Sequence, residues 1–153
     1  MPRASISKFT VFFLATIIAS FAQLNMKAVF GWSPEFILAA LVVSGFYLNI
    51  LETATLVAVS ILILNWRPTP GLEIFLFLIL PFAVILARKF SPWKSEINGV
   101  LGIVLSVVVF YAFSNLSAIF LNPIIFAEII ALTALFGAIL FQIFNYFYKI
   151  SPA

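Results

Sequence analysis

The chain of 153 residues has no cysteine, no histidine and only thirteen charged residues, eight basic and five acidic. Without cysteine there is no disulfide framework, no thiolate nucleophile and no cysteine-held metal. Without histidine the commonest general base and the commonest metal ligand are missing. Most triad and metalloenzyme chemistries leave with those two residues, and no catalytic, cofactor or metal site is expected. Charged residues make up 8% of the chain, against about 25% in a soluble domain, too few to cover a water-facing surface. The basic residues are also too few and too dispersed to track phosphates, so nucleic acid is not an expected partner. Six glycines and eight prolines show no period, which excludes collagen-like or linker-type sequence.

What remains is apolar. Hydrophobic residues are 65% of the chain and the mean hydropathy is +1.25. A membrane span takes about 20 such residues. Six spans would use about 120 residues, leaving only turns and ends, so residues 1–153 read as one all-α integral membrane domain in the lipid bilayer.

The first apolar run, Phe9 to Met26, follows Arg3 and Lys8. Ser20-x-Ala22 resembles a signal-peptide cleavage site, but Gln23, Asn25 and Lys27 look like the polar end of a retained helix. The next run, Phe36 to Asn65, is too long for one comfortable span, and Glu52 lies at its centre. Either one tilted helix buries a carboxylate at mid-membrane, or two short helices turn near Asn49 to Thr53. Basic residues concentrate in cytoplasmic loops. With the turn, Arg3, Lys8, Arg88, Lys89, Lys94 and Lys149 lie inside, and Lys27 and Arg67 outside, six against two. Without it the count is four against four. A carboxylate at the midplane would also cost about 2.5–3.5 kcal/mol. Six helices are therefore expected, at about 9–28, 34–50, 52–66, 70–89, 95–114 and 123–149, with both termini cytoplasmic. Ser33-Pro34, Thr69-Pro70, Ser91-Pro92 and Asn122-Pro123 are read as openings of helices two, four, five and six, since a hydroxyl or amide suits the N-cap and proline the first helical position. Trp32 and Trp66 fall at the outer boundary and Trp93 at the inner one, as aromatic belts require.

The acids are Glu35, Glu52, Glu73, Glu96 and Glu128. Glu35, Glu73 and Glu128 lie in opening turns, where a carboxylate meets the positive end of the helix dipole. All three also fall toward the outer face, near Lys27 and Arg67, and could line a shared pocket or pair with a partner. Glu128, deepest in its span, is the first to mutate. Glu52 reads as a solvated turn residue and Glu96 as an interfacial ion-pair member beside Lys94. Ala15-x-x-x-Ala19, followed by Ala22, is a small-residue stripe that lets helix one approach another backbone closely. It serves either packing within the chain or docking of another membrane protein.

This layout resembles the MreD family of bacterial rod-shape-determining membrane proteins. Ala22-Gln23-Leu24 at the end of helix one is similar to a Leu-Gln-Ser stretch common there. Ser33-Pro34-Glu35 opens helix two as the family's Pro-Asp or Pro-Glu does, and Gly45 falls where a glycine is usual. Ile61-Leu62-Ile63-Leu64-Asn65 and then Gly71 sit where the family often has Gly-Leu-Leu-x-Asp and a glycine, with Ile61 and Asn65 departing from that pattern. The resemblance implies a fold like the substrate-binding S components of energy-coupling-factor vitamin transporters, and a multi-pass protein of the inner membrane. It also implies a non-enzymatic scaffold in cell-wall elongation, partnering a bitopic MreC-like protein, the peptidoglycan synthases and the actin-like cytoskeleton. The alternative reading is an S component itself, whose first helix carries a similar Ala-x-x-x-Ala docking face and which would bind a small molecule at its outer end.

Overall fold

A computed structural model describes residues 2–64, 71–88, 90 and 95–148. Among them the chain is entirely helical: α1 Pro2–Phe30, α2 Phe36–Tyr47, α3 Ile50–Leu64, α4 Leu72–Arg88, α5 Ser95–Ser114, α6 Leu116–Leu121 and α7 Pro123–Tyr148. Three helices are long and apolar enough to cross a membrane, within Lys8–Phe30, Glu96–Ser114 and Pro123–Tyr148. The other bundle helices are shorter. At 1.5 Å per residue α2, with 12 residues, is about 18 Å long, well below the roughly 30 Å hydrocarbon thickness.

Shortness is tolerable because α2 does not face lipid. It packs against α1, α3, α4, α5 and α7, and the ten residues Ile37 to Phe46 are all buried. A helix apolar on every side is a core helix, and here it is the axis around which the others stand. The outward sides of the surrounding helices are apolar too. Leu14, Ile18 and Phe21 on α1, Phe75, Ile79 and Leu86 on α4, and Leu135, Ile139 and Ile143 on α7 are exposed. An apolar surface of that extent is foreign to monomeric soluble proteins, and with the three long helices it gives the chain the character of a membrane protein.

The bundle helices alternate in direction. Lys27 near the end of α1, Leu64 of α3 and Ser114 of α5 share a cavity with Glu35, which opens α2, and Glu73, which opens α4. At the far end, the Lys8 ammonium of α1 lies 5.3 Å from the Tyr148 ring of α7. Asn145 of α7 donates to Glu96 Oε1 of α5 at 3.3 Å.

The long second run does break into a hairpin, at Leu48 and Asn49, just ahead of the expected turn. Glu52 is the reason α3 begins there. Its carboxylate accepts the Asn49 backbone N–H at 3.0 Å, the glutamate half of a capping box. Glu52 thus belongs to the first turn of α3 rather than to a loop. Gly31 closes α1 in the left-handed region at φ 76°, and its N–H donates to Lys27 O at 3.0 Å, a glycine C′ ending. Ser33-Pro34 then lies in the connection, because α2 takes Glu35 as its N-cap. At Asn122-Pro123 the expected opening is observed, with Pro123 as the first residue of α7. Thr69-Pro70, Ser91-Pro92, Trp66, Trp93, Arg67 and Lys94 lie outside the described residues or side chains. The short α6 was not anticipated. Asn115 caps it by accepting the Ala118 N–H at 3.3 Å.

Close helix approach is concentrated at glycines. A Cβ on Gly137 of α7 would overlap Ile103 Cδ1 of α5, and one on Gly45 of α2 would come within 2.7 Å of Ile85 Cγ1 of α4. Gly137→Val is expected to destabilise the bundle by about 1–3 kcal/mol through overpacking. Gly71→Ala, where nothing lies within 4 Å of the added Cβ, should stay within about 0.5 kcal/mol. Thermal unfolding of both variants in detergent measures the difference, and equal melting temperatures would contradict the packing described.

Candidate functional site

Helix α1 carries one polar stripe on an apolar background. Thr16, Ser20 and Gln23 are buried on the side that also buries Phe12, spaced three to four residues apart as one helical face requires. Thr16 and Ser20 turn back on their own helix, donating to Phe12 O and Thr16 O at 2.9 and 2.8 Å. Gln23 instead reaches across to α2. Its Oε1 accepts the Ile37 backbone N–H at 3.1 Å, and its Nε2 donates to Glu35 Oε2 at 2.9 Å. The amide orientation follows from chemistry, since the Ile37 N–H can only donate.

Glu35 is the centre of the site. It is 7% exposed. Tyr111 OH, from α5, donates to its Oε1 at 3.1 Å, and its own backbone N–H donates to Thr133 Oγ1 of α7 at 2.9 Å. Four helices therefore converge on one residue. The first N–H groups of any helix lack intrahelical partners. Here neighbouring helices supply them, Gln23 from α1 for Ile37 and Thr133 from α7 for Glu35. The carboxylate also sits at the N-terminus of α2, where the helix dipole favours negative charge.

Two cavities adjoin this knot at the same end of the bundle. One, of about 540 Å³, is lined by Gln23, Lys27, Glu35, Glu73 and Tyr111 among others. The second, of about 500 Å³, shares Lys27, Glu35 and Tyr111 and extends to Trp32 and Ile129. Lys27 and Glu73 are exposed on the cavity walls.

Of the three outer glutamates, the structure brings Glu35 and Glu73 to one cavity and leaves Glu128 exposed on α7. Glu128 lines neither cavity, although its neighbour Ile129 does, because it projects from another side of the helix. The alanine stripe faces inward. Ala19 is 0% exposed and belongs to the core, with Ala15 packed against it, and Ala22 is half-buried. Their side of α1 meets α2 and α3, so Ala15 and Ala19 serve packing within the chain. The outward side of α1 presents the bulky Leu14, Ile18 and Phe21 instead.

Gln23, Tyr111 and Thr133 were not anticipated as partners of Glu35. Gln23 looks like the polar end of a helix, and the other two are single polar residues inside long apolar runs. That interior position is the signal that could have found them, because lipid offers no partner to a hydroxyl. Comparison with known protein families, with characterised proteins and with solved structures gave no match.

Removing the carboxylate leaves one buried donor, Gln23 Nε2, and one half-buried donor, Tyr111 OH, without their acceptor. Glu35→Ala should destabilise the protein by about 1–3 kcal/mol for the buried Gln23 donor, and by less for Tyr111, which lines the cavity. Glu35→Gln, which keeps an acceptor oxygen, should fall between that variant and the native protein. Glu128→Ala and Glu73→Ala, both at exposed positions, should stay within about 0.5 kcal/mol. Thermal unfolding in detergent reads all four, and a Glu35→Ala protein as stable as Glu128→Ala would remove the knot from the account.

Proposed function

We propose that this chain is a six-span inner-membrane protein with both termini in the cytoplasm. In this reading it acts as a non-catalytic scaffold of the bacterial cell-elongation machinery, as its MreD-like sequence pattern implies. The observation that carries the reading is the state of Glu35. Both oxygens of the one deeply buried carboxylate are held by donors from the chain itself, Gln23 and Tyr111. The site's polar chemistry is thus engaged in tying helices together, the work of a rigid frame. Six spans are supported by the alternation of the bundle helices and by the six-to-two distribution of basic residues. The partners on this reading are a bitopic MreC-like protein and the peptidoglycan synthases.

One observation favours a second reading, the S component of a vitamin transporter. A cavity of about 540 Å³ falls in the range of small-molecule sites, about 300–1,000 Å³, and Lys27 and Glu73 stand exposed on its walls. Against it, the alanines that would form the docking face of such a subunit are turned into the bundle.

Affinity purification after cross-linking in native membranes separates the two. The scaffold reading expects a bitopic elongation protein to be recovered with the chain. A small molecule retained by the purified chain, with no such protein, supports the transporter subunit instead. The topology has its own test, since the chain has no cysteine and a single one is a clean label. A cysteine at position 90 should react with a membrane-impermeant maleimide only from the cytoplasmic side. Labelling from the periplasm would overturn the six-span arrangement.

A further inference from the structure

Seven polar side chains line the cavity of about 540 Å³ beside the Glu35 knot, and the chain itself uses five of them. Gln23 and Tyr111 donate to Glu35. Ser114 returns its hydroxyl to Phe110 O at 2.7 Å, and Asn115 Oδ1 accepts from the Ser117 hydroxyl and the Ala118 N–H. Two remain. Among the described residues, Lys27 and Glu73 have no side-chain hydrogen bond or ion pair, with each other or with any neighbour.

Helix-end chemistry accounts for each charge alone. Lys27 lies in the last turn of α1 and Glu73 in the first turn of α4, where each suits its helix dipole. That role does not require opposite charges to share one concave space without pairing. Both are exposed, and both lie near enough for their charges to act on the Glu35 carboxylate, so the site is compact. The rest of the lining is apolar, with Leu72 and Phe113 exposed and Ile61 and Leu64 half-buried.

We infer that this cavity binds a free amino acid with an apolar side chain, its carboxylate held by Lys27, its ammonium by Glu73, and its side chain against Leu72 and Phe113. Charge selects a zwitterion. A simple anion would satisfy Lys27 but face Glu73, with Glu35 behind it. A simple cation would satisfy Glu73 but be opposed by Lys27. A zwitterion pairs with both and brings no net charge to a site bordered by apolar surface, where an unpaired ion is costly. Hydrogen bonds between ionised groups are also the strong ones, and an apolar lining with a few convergent polar groups is the usual make-up of a small-molecule site. The inference rests on the cavity and its two free charges, not on the scaffold reading, which the cross-linking experiment tests separately.

The test is isothermal titration calorimetry of the full chain, purified in detergent, with valine, leucine, isoleucine, methionine, phenylalanine and tryptophan. At least one should bind saturably, one molecule per chain. Acetylating the amine of that ligand, or converting its carboxylate to the amide, should each weaken binding about tenfold or more, as the loss of a hydrogen bond to a charged group does. Lys27→Ala and Glu73→Ala should weaken the free amino acid similarly, whereas Glu128→Ala, outside both cavities, should not. The pairing has its own signature. In Lys27→Ala the amide should bind no worse than the free amino acid, and in Glu73→Ala the acetylated form should behave likewise, a coupling that a merely structural role would not produce. No binding by any of the six, binding indifferent to both blocked forms, or an affinity unchanged in Lys27→Ala and Glu73→Ala would each overturn the inference. None of these results bears on the recovery of a bitopic partner, so this inference and the scaffold reading fail separately.

Discussion

A carboxylate withdrawn from water must find its hydrogen bonds inside the protein, and Glu35 finds them on three neighbouring helices. Gln23 and Tyr111 donate to its two oxygens, and Thr133 accepts its N–H. In an apolar environment each of these groups, left alone, would be costly, so the bonds act as a single unit whose loss at one member strands the others. Together they tie α1, α2, α5 and α7 to one another at this end of the bundle. Apolar packing by itself would tolerate small rotations of each helix, whereas these directional bonds specify which face of each helix points inward.

The consequences extend along α2. Because its first N–H groups are capped by side chains of other helices, α2 can begin deep within the bundle instead of at its edge. It ends 12 residues later at Tyr47, whose hydroxyl donates to Phe141 O of α7 at 3.1 Å. Rings of Phe12, Tyr47, Phe141 and Phe144 meet there, with centroids between 3.9 and 5.9 Å apart. Helix α2 is thus held by a polar knot at one end and an aromatic cluster at the other, with its ten middle residues sealed from lipid. A helix far shorter than the bilayer is admissible only under this arrangement, since lipid meets the longer helices around it.

Much of the architecture is legible from hydropathy, because lipid imposes long apolar segments and punctuates them with prolines and charges. The hairpin at Leu48 and Asn49 is legible as well, since a single helix through it would place Glu52 at mid-membrane. The site is less so. Glu35, Glu73 and Glu128 all read as opening-turn residues in the sequence. In the structure Glu35 is the N-cap of α2, Glu73 lies in the first turn of α4, and Glu128 is the sixth residue of α7, beyond its first turn. The first is buried and the third exposed. Ser33-Pro34 and Asn122-Pro123 have the same cap chemistry, yet only the second opens its helix directly. At the first, Gln23 and Thr133 provide the capping from outside, so the local signal is overridden.

The two alanine stripes carry this argument furthest. Ala15-x-x-x-Ala19 and Ala83-x-x-x-Ala87 have identical spacing, and propensity or hydropathy cannot separate them. On α1 the alanines border Thr16, Ser20 and Gln23, and lipid has no partner for those groups, so that side turns inward and the alanines go with it. On α4 Phe77, Leu80, Pro81 and Ile85 are buried and Ala83 and Ala87 stay exposed, with no polar side chain beside them, among the described side chains of α4, to turn that side inward. The direction of a small-residue stripe in a membrane helix is therefore set by what shares its side. Polar neighbours draw it into the bundle, whereas without them, as at Ala83 and Ala87, it stays on the apolar surface.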